Sequence, residues 1–188
     1  LNEVLAQLQA HVIAPVETLH TASLWVCMTW LSDAATVLPL AVITAPEKGC
    51  GKTTLLTAMS KMAQRPMQVA GTTTAFLFRV IELEAPTLFI DETDTFMRDN
   101  EELRGLINSG HTRDSAFIGR VVGDNHEPKL FSTWCAKALS GIGHLPETIE
   151  SRAIILKMRR KLKGESARNI TLTTRDTCTD NKRRFGRW

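Results

Sequence analysis

Apolar residues at helical spacing open the chain: Leu1, Val4, Leu5, Leu8 and Val12 fall on one face, and Pro15 ends that helix. Glu17–Ala34 reads as a second, more hydrophobic helix, whose Trp25 and Trp30 read as core rather than as a cofactor box. The period then shortens. Leu38–Thr44 is a continuous apolar run of strand length, followed by a Gly-containing loop and a helix-compatible stretch from Leu55 to about Gln64. Pro66–Ala70 reads as a short strand, and Thr73–Glu84 as an amphipathic helix ended by Pro86. Thr87–Ile90 is again apolar and β-favouring, and Asn100–Ser109 is helical up to Gly110. Ser115–Val122 and Lys129–Trp134 flank the turn-rich tip Gly123–Pro128 as a hairpin. Lys137–Ser140, a short helix at Glu147–Ser151 and a strand at Ala153–Met158 complete the pattern. Strands alternating with helices at crossover spacing predict an α/β protein, three layers around a central parallel sheet with a β-hairpin insertion.

Composition narrows this. A chain of 188 residues supports one domain with its own core. Cys27, Cys50, Cys135 and Cys178 are far apart with no Cys-x-x-Cys pair, which argues against a structural zinc site or a disulfide framework. Cys50, at a helix N-terminus, is expected to be sensitive to alkylation. The most apolar region, Thr21–Thr44, is interrupted by Asp33 and Pro39 and does not read as a membrane span. No signal-peptide pattern is visible, so a soluble, cytoplasmic protein is expected. Charge is uneven: residues 1–151 carry 11 Lys/Arg against 17 Asp/Glu, whereas residues 152–188 carry 12 against 3. The basic end suggests a polyanion or an acidic neighbouring surface; a solvated helix face is the plain alternative.

Two segments carry chemistry. In the first, the apolar run leads into Pro46-Glu47-Lys48-Gly49-Cys50-Gly51-Lys52-Thr53-Thr54. Strand, loop and helix in that order are what a phosphate-binding loop requires, with loop and helix N–H groups facing a polyphosphate; a Gly-rich turn after a buried strand is the plain alternative. Lys52 would reach the β- and γ-phosphates of ATP, and the Thr53 hydroxyl would hold Mg2+. Pro46 stands where the usual pattern has its first Gly, making the loop entrance stiffer. In the second, Thr87–Ile90 runs directly into Asp91 and Glu92. Asp91 would anchor the Mg2+ shell and Glu92 would orient or deprotonate the attacking water. A helix N-cap is the plain reading of that acid pair. Together the two segments predict a hydrolytic nucleotide site.

With these motifs and Leu145–Arg152 in view, the chain resembles an AAA+ P-loop ATPase. The resemblance implies that Arg152 supplies an arginine finger to a neighbouring subunit and that Ser140 is the sensor-1 residue. It also implies that the two first helices form a linker near the adenine. A closer resemblance rests on Ala45–Thr54, Asp91–Glu102, Leu103–His111, Val122–Pro128 and Phe131–Trp134. These look like an uncharacterised ATPase-domain family of phage, plasmid and genomic-island proteins, found beside primase or helicase-like modules. The implied organisation is a helical linker over 1–36, an ATPase core over 37–162 and a basic tail over 163–188 that begins a truncated lid. A sensor-2 arginine is not assigned.

The expected function is an ATP-hydrolysing, helicase-like or replication-associated motor of a mobile element acting on DNA, assembled as a homo-oligomeric ring such as a hexamer. Arg120 and Lys129 on the hairpin, with the basic tail, would contact phosphates. The alternative is an ATPase that remodels or loads a protein partner without touching DNA. A small-molecule kinase is disfavoured by the paired Asp91 and Glu92, and a GTPase by the lack of an Asn-Lys-x-Asp motif. Ser140 reads equally as a small residue permitting close packing, and Arg152 as a surface ion-pair partner. Arg104, His111 and Arg113 line a subunit interface, read the γ-phosphate, or lie on a helix face. His126 reads as an exposed loop histidine.

Overall fold

A computed structural model describes residues 1–70, 72–93, 100–124, 126–142 and 146–171. Two helices come first, α1 (Asn2–His11) and α2 (Val16–Thr29). Next are β1 (Leu40–Ala45), α3 (Lys52–Met62), β2 (Pro66–Val69), α4 (Thr74–Glu84) and β3 (Thr87–Ile90). After residue 99 follow α5 (Glu101–Ser109), a 3-10 turn at Arg113–Ser115, β4 (Phe117–Val122) and β5 (Glu127–Ser132). The chain then forms β6 (Lys137–Ile142), the short α6 (Glu147–Glu150) and β7 (Ala153–Lys157). The second helix stops at Thr29 rather than Ala34, where the Trp30 N–H turns to the Cys27 carbonyl. The sixth strand runs on to Ile142 because it stays paired with β1 as far as Ala45.

Five strands form one parallel sheet in the order β2-β3-β6-β1-β7. Side chains alternate between its faces, as a period of two requires. Ala41, Ile43, Phe89, Ala138 and Leu156 pack under α1, α2 and α3 with Leu8, Trp25 and Met59. Leu40, Val42, Leu88, Ile90 and Leu139 pack against α4 and α5 through Leu77, Ile81 and Leu106. Helices therefore flank both faces of a mixed α/β structure, compatible with α/β/α layering. The chain travels from β1 to the β2 edge over the first face, and returns by α4, α5 and α6 over the second. Reversing direction and face together keeps one hand, so the four crossovers agree, as the handedness rule for parallel strands demands.

The hairpin β4–β5 stands apart from the sheet, with Ile118, Val122 and Phe131 turned toward α4 and α5. Its other face leaves Phe117, Val121 and Leu130 more than half exposed. Beyond β7 the Met158 N–H bonds to the Thr44 carbonyl, and residues 159–171 form a strap without helix. The strap returns to α1, where the Arg168 N–H donates to the Ala10 carbonyl at 2.9 Å. Residues 163–171 of the expected basic tail carry no helix, and the remainder, 172–188, on which the expected start of a lid falls, lies outside the described residues.

Candidate functional site

The loop leaving β1 owes its shape to two glycines. Gly49 and Gly51 have φ of 78° and 80°, a left-handed conformation that a Cβ disfavours. Gly51 is also the N-cap of α3, which like α1 and α2 has no side-chain cap among the described residues, whereas Thr73 and Asn100 cap α4 and α5. The first N–H groups of α3, from Lys52 to Thr54, therefore lack intrahelical partners, and the helix dipole favours an anion beside them. Lys52 is lightly held, its Nζ donating to the Glu47 carbonyl at 3.4 Å. The Glu47 carboxylate instead takes Arg160 at 3.1 Å. Pro46 and Lys48 are exposed in the same loop. Cys50 is buried in the core beneath it, at 3% exposure, so the expected ease of alkylation does not follow.

At the end of β3 the acids arrive beside this loop. Asp91 Oδ2 accepts from the Thr53 hydroxyl at 2.7 Å, and Asp91 Oδ1 accepts from the Glu92 N–H at 2.9 Å. Glu92 itself is left-handed, with φ of 54°. The adjacent Thr93 is fully buried and its Oγ1 donates to the Ser140 carbonyl at 3.0 Å. Ser140 is also fully buried, and its hydroxyl has no hydrogen-bond partner among the described residues. A cavity of about 400 Å³ gathers Lys48, Gly49, Lys52, Thr53, Asp91, Glu92 and Ser140. It lies at the carboxyl ends of β1 and β6, neighbours whose onward connections leave over opposite faces, the switch point where open α/β sheets bind ligands.

A second cavity of about 560 Å³ adjoins the loop, where Cys50, Gly51 and Thr54 meet His11, Val12 and the strap. Arg159, Lys161 and Arg168 also line it. Three cations of the basic segment thus sit beside the loop. Glu165 partly neutralises it, accepting both Arg159 Nη atoms at 2.7 and 2.6 Å. The Arg159 hydrogen bonds, then the Leu162 N–H, hold the Glu165 carboxyl down to about 2.

Arg152 lies elsewhere. It precedes β7 at the amino end of the sheet, its carbonyl accepting the Leu40 N–H and its guanidinium donating to the Asn108 carbonyl at 2.8 Å. It shares a cavity of about 350 Å³ with His111, whose pKa is lowered by burial and by the charges of Arg152 and Lys137. Arg104 pairs with Glu101 along α5. Arg113 is structural, donating to the carbonyls of Asp33 and Ala35 at 2.6 and 3.2 Å and lying over Trp134. The hairpin cations face inward. Arg120 pairs with Glu102 over the Phe78 ring, and Lys129 pairs with Glu82 at 3.3 Å over Phe131. The expected use of Arg120 and Lys129 as free phosphate contacts is not what their packing provides. His126 sits in the hairpin turn with φ of 54°.

Thr93 and the strap residues were not singled out by sequence reasoning. The signal for Thr93 was no more than a hydroxyl beside an acid pair, and for the strap a basic run with no indication of where it folds. Among the described residues no group of three His, Cys, Asp or Glu side chains is placed to hold a metal, and no helix is long and apolar enough to cross a membrane. No family model matches the chain, and no curated protein matches it.

Proposed function

We propose that this chain is a Mg2+-dependent ATPase of the P-loop, AAA+-like type. One observation carries the reading: the Thr53–Asp91 hydrogen bond of 2.7 Å joins an uncapped helix start to the acids of β3, beside the unpartnered hydroxyl of Ser140. The residues present fit the ligands. The free N–H groups and Lys52 suit polyphosphate, and two hard oxygen donors, Thr53 and Asp91, suit Mg2+. Bound Mg2+ would supply neutralisation of charge on the β- and γ-phosphate oxygens. Lys52 holds those phosphates, Glu92 orients the attacking water or takes its proton, and Ser140 donates to a γ-phosphate oxygen. Arg152, at the opposite end of the sheet, has no access to this cavity. Its role is then to complete the site of a second copy, and a head-to-tail interface of that kind closes into a ring or extends as a filament.

The resemblance to mobile-element proteins supports a DNA-directed motor. A specific observation favours the second reading, an ATPase that works on a protein partner. Both hairpin cations are spent on internal acids, while Phe117, Val121 and Leu130 face outward.

The test is ATP turnover with and without Mg2+ and DNA, run beside mass measurement with a nonhydrolysable nucleotide. Glu92→Gln is expected to keep nucleotide binding and lose turnover by about 10²-fold or more. Unchanged turnover removes Glu92 from its role, and a monomer with nucleotide bound removes Arg152 from its own. Stimulation by DNA supports the motor; no binding to DNA at low salt leaves the protein-directed reading.

A further inference from the structure

We infer that Thr93 is a positioning residue for the proposed hydrolysis, fastening the acid turn at the end of β3 to β6 and so fixing where the Glu92 carboxylate stands relative to Ser140. This rests on the ATPase reading above.

The ladder between β3 and β6 ends at the pair Ile90–Leu139. Beyond it, among the described residues, the turn Asp91–Thr93 is tied to β6 through one hydrogen bond, Thr93 Oγ1 to the Ser140 carbonyl at 3.0 Å. Both partners are fully buried, so water does not compete for that bond. Glu92 stands between two anchors. On one side its N–H is taken by Asp91 Oδ1 at 2.9 Å, and on the other its chain is pinned by Thr93.

Its backbone needs both. At φ of 54° Glu92 occupies a region that a side chain disfavours, and a residue stays there only while its surroundings hold it. Without the Thr93 bond the turn is free to relax toward the right-handed or extended region, which swings the carboxylate away from the cavity. Asp91 is less exposed to this change, because its Oδ2 is bonded to Thr53 on α3. Thr93 therefore acts on the water-activating group and leaves the phosphate-holding and Mg2+-holding groups in place. Misplacing a reacting group by about 1 Å costs on the order of 10²-fold in rate.

The experiment uses the full chain with MgATP and with a nonhydrolysable ATP analogue. Thr93→Val keeps the side-chain shape and deletes the donor. It is expected to lower kcat about 10- to 100-fold while KM and the analogue Kd stay within about threefold. Thr93→Ser restores the donor and is expected to stay within about threefold of the wild-type kcat. If Thr93→Val does not fold, judged by circular dichroism and Tm, Thr93→Ala carries the same comparison. A kcat per folded molecule near wild type in Thr93→Val, or equal losses in Thr93→Val and Thr93→Ser, overturns the inference: the bond is then a packing detail. If Thr93→Val weakens KM and analogue binding as much as kcat, Thr93 holds the whole site, and the inference also falls. A wild-type chain without Mg2+-dependent turnover overturns the ATPase reading itself. A wild-type chain that turns over beside an equally active Thr93→Val overturns this inference alone.

Discussion

Lys52 and Lys137 sit at opposite ends of one parallel sheet and have opposite fates. Lys137 opens β6 at the amino end and is fully buried, its Nζ donating to the carbonyls of Thr133 and Cys135 at 3.0 and 3.1 Å. Gly110 makes room for it: a Cβ there would overlap both Lys137 Nζ and the Thr133 carbonyl oxygen. Burial pushes the neighbouring Cys135 thiol up, against the opposing pull of Lys137. Lys52, past the carboxyl end of β1, makes one long hydrogen bond of 3.4 Å and borders an open cavity. Around it the α3 N–H groups are uncapped and the Ser140 hydroxyl is unpartnered. At the amino end the Lys137 ammonium is bonded to two carbonyls and closely packed against Gly110, so this corner holds the fold. The carboxyl end keeps donors unused, as the proposed nucleotide site requires.

The largest expected effect comes from removing a donor at the carboxyl end. Lys52→Met should lower ATP turnover by about 10³-fold and move stability by no more than about 0.5 kcal/mol. A variant that still turns over ATP breaks the contrast at its functional end. The next effect lies at the other end. Gly110→Ala should destabilise the chain by about 3 kcal/mol, because backbone as well as side chain must yield. A wild-type urea midpoint would mean that the Lys137 end has slack after all.

The smallest effect concerns the strap beside the loop. Glu165 has its pKa depressed from 4.5 to about 2 by Arg159 and the Leu162 N–H, so the pair contributes stability above the ordinary carboxylate pKa. That contribution declines as pH falls from 4.5 to about 2. Glu165→Gln should therefore lower Tm slightly at neutral pH and converge on wild type near the bottom of that window. Parallel Tm curves with no convergence would show the strap latched by something other than this ion pair.

How much of this was legible follows from distance along the chain. The strand–loop–helix order around Gly49–Thr53 and the strand running into Asp91 are local, and the structure has those elements where their patterns indicate. The five strands of the sheet were legible as separate short segments. Their order was not, since β6 inserts between β1 and β3 although β2 and β3 precede it in the chain. Free cations proved hardest to read. Arg113, Arg120 and Lys129 look available in the sequence, yet they are committed to the Asp33 and Ala35 carbonyls, to Glu102 and to Glu82. A charge has no periodicity that announces its partner.

The amino-acid sequence by itself determined which segments become strands and helices, and which residue types stand at the ends of the first and third strands, because backbone preference and apolar period act over a few residues. Tertiary structure alone decided that Thr53 meets Asp91 across 38 positions, that Thr93 reaches Ser140 across 47, and that Arg152 faces away from both. Those contacts depend on strand order and on which face each crossover takes, and burial of the two core clusters on either side of the sheet selects them.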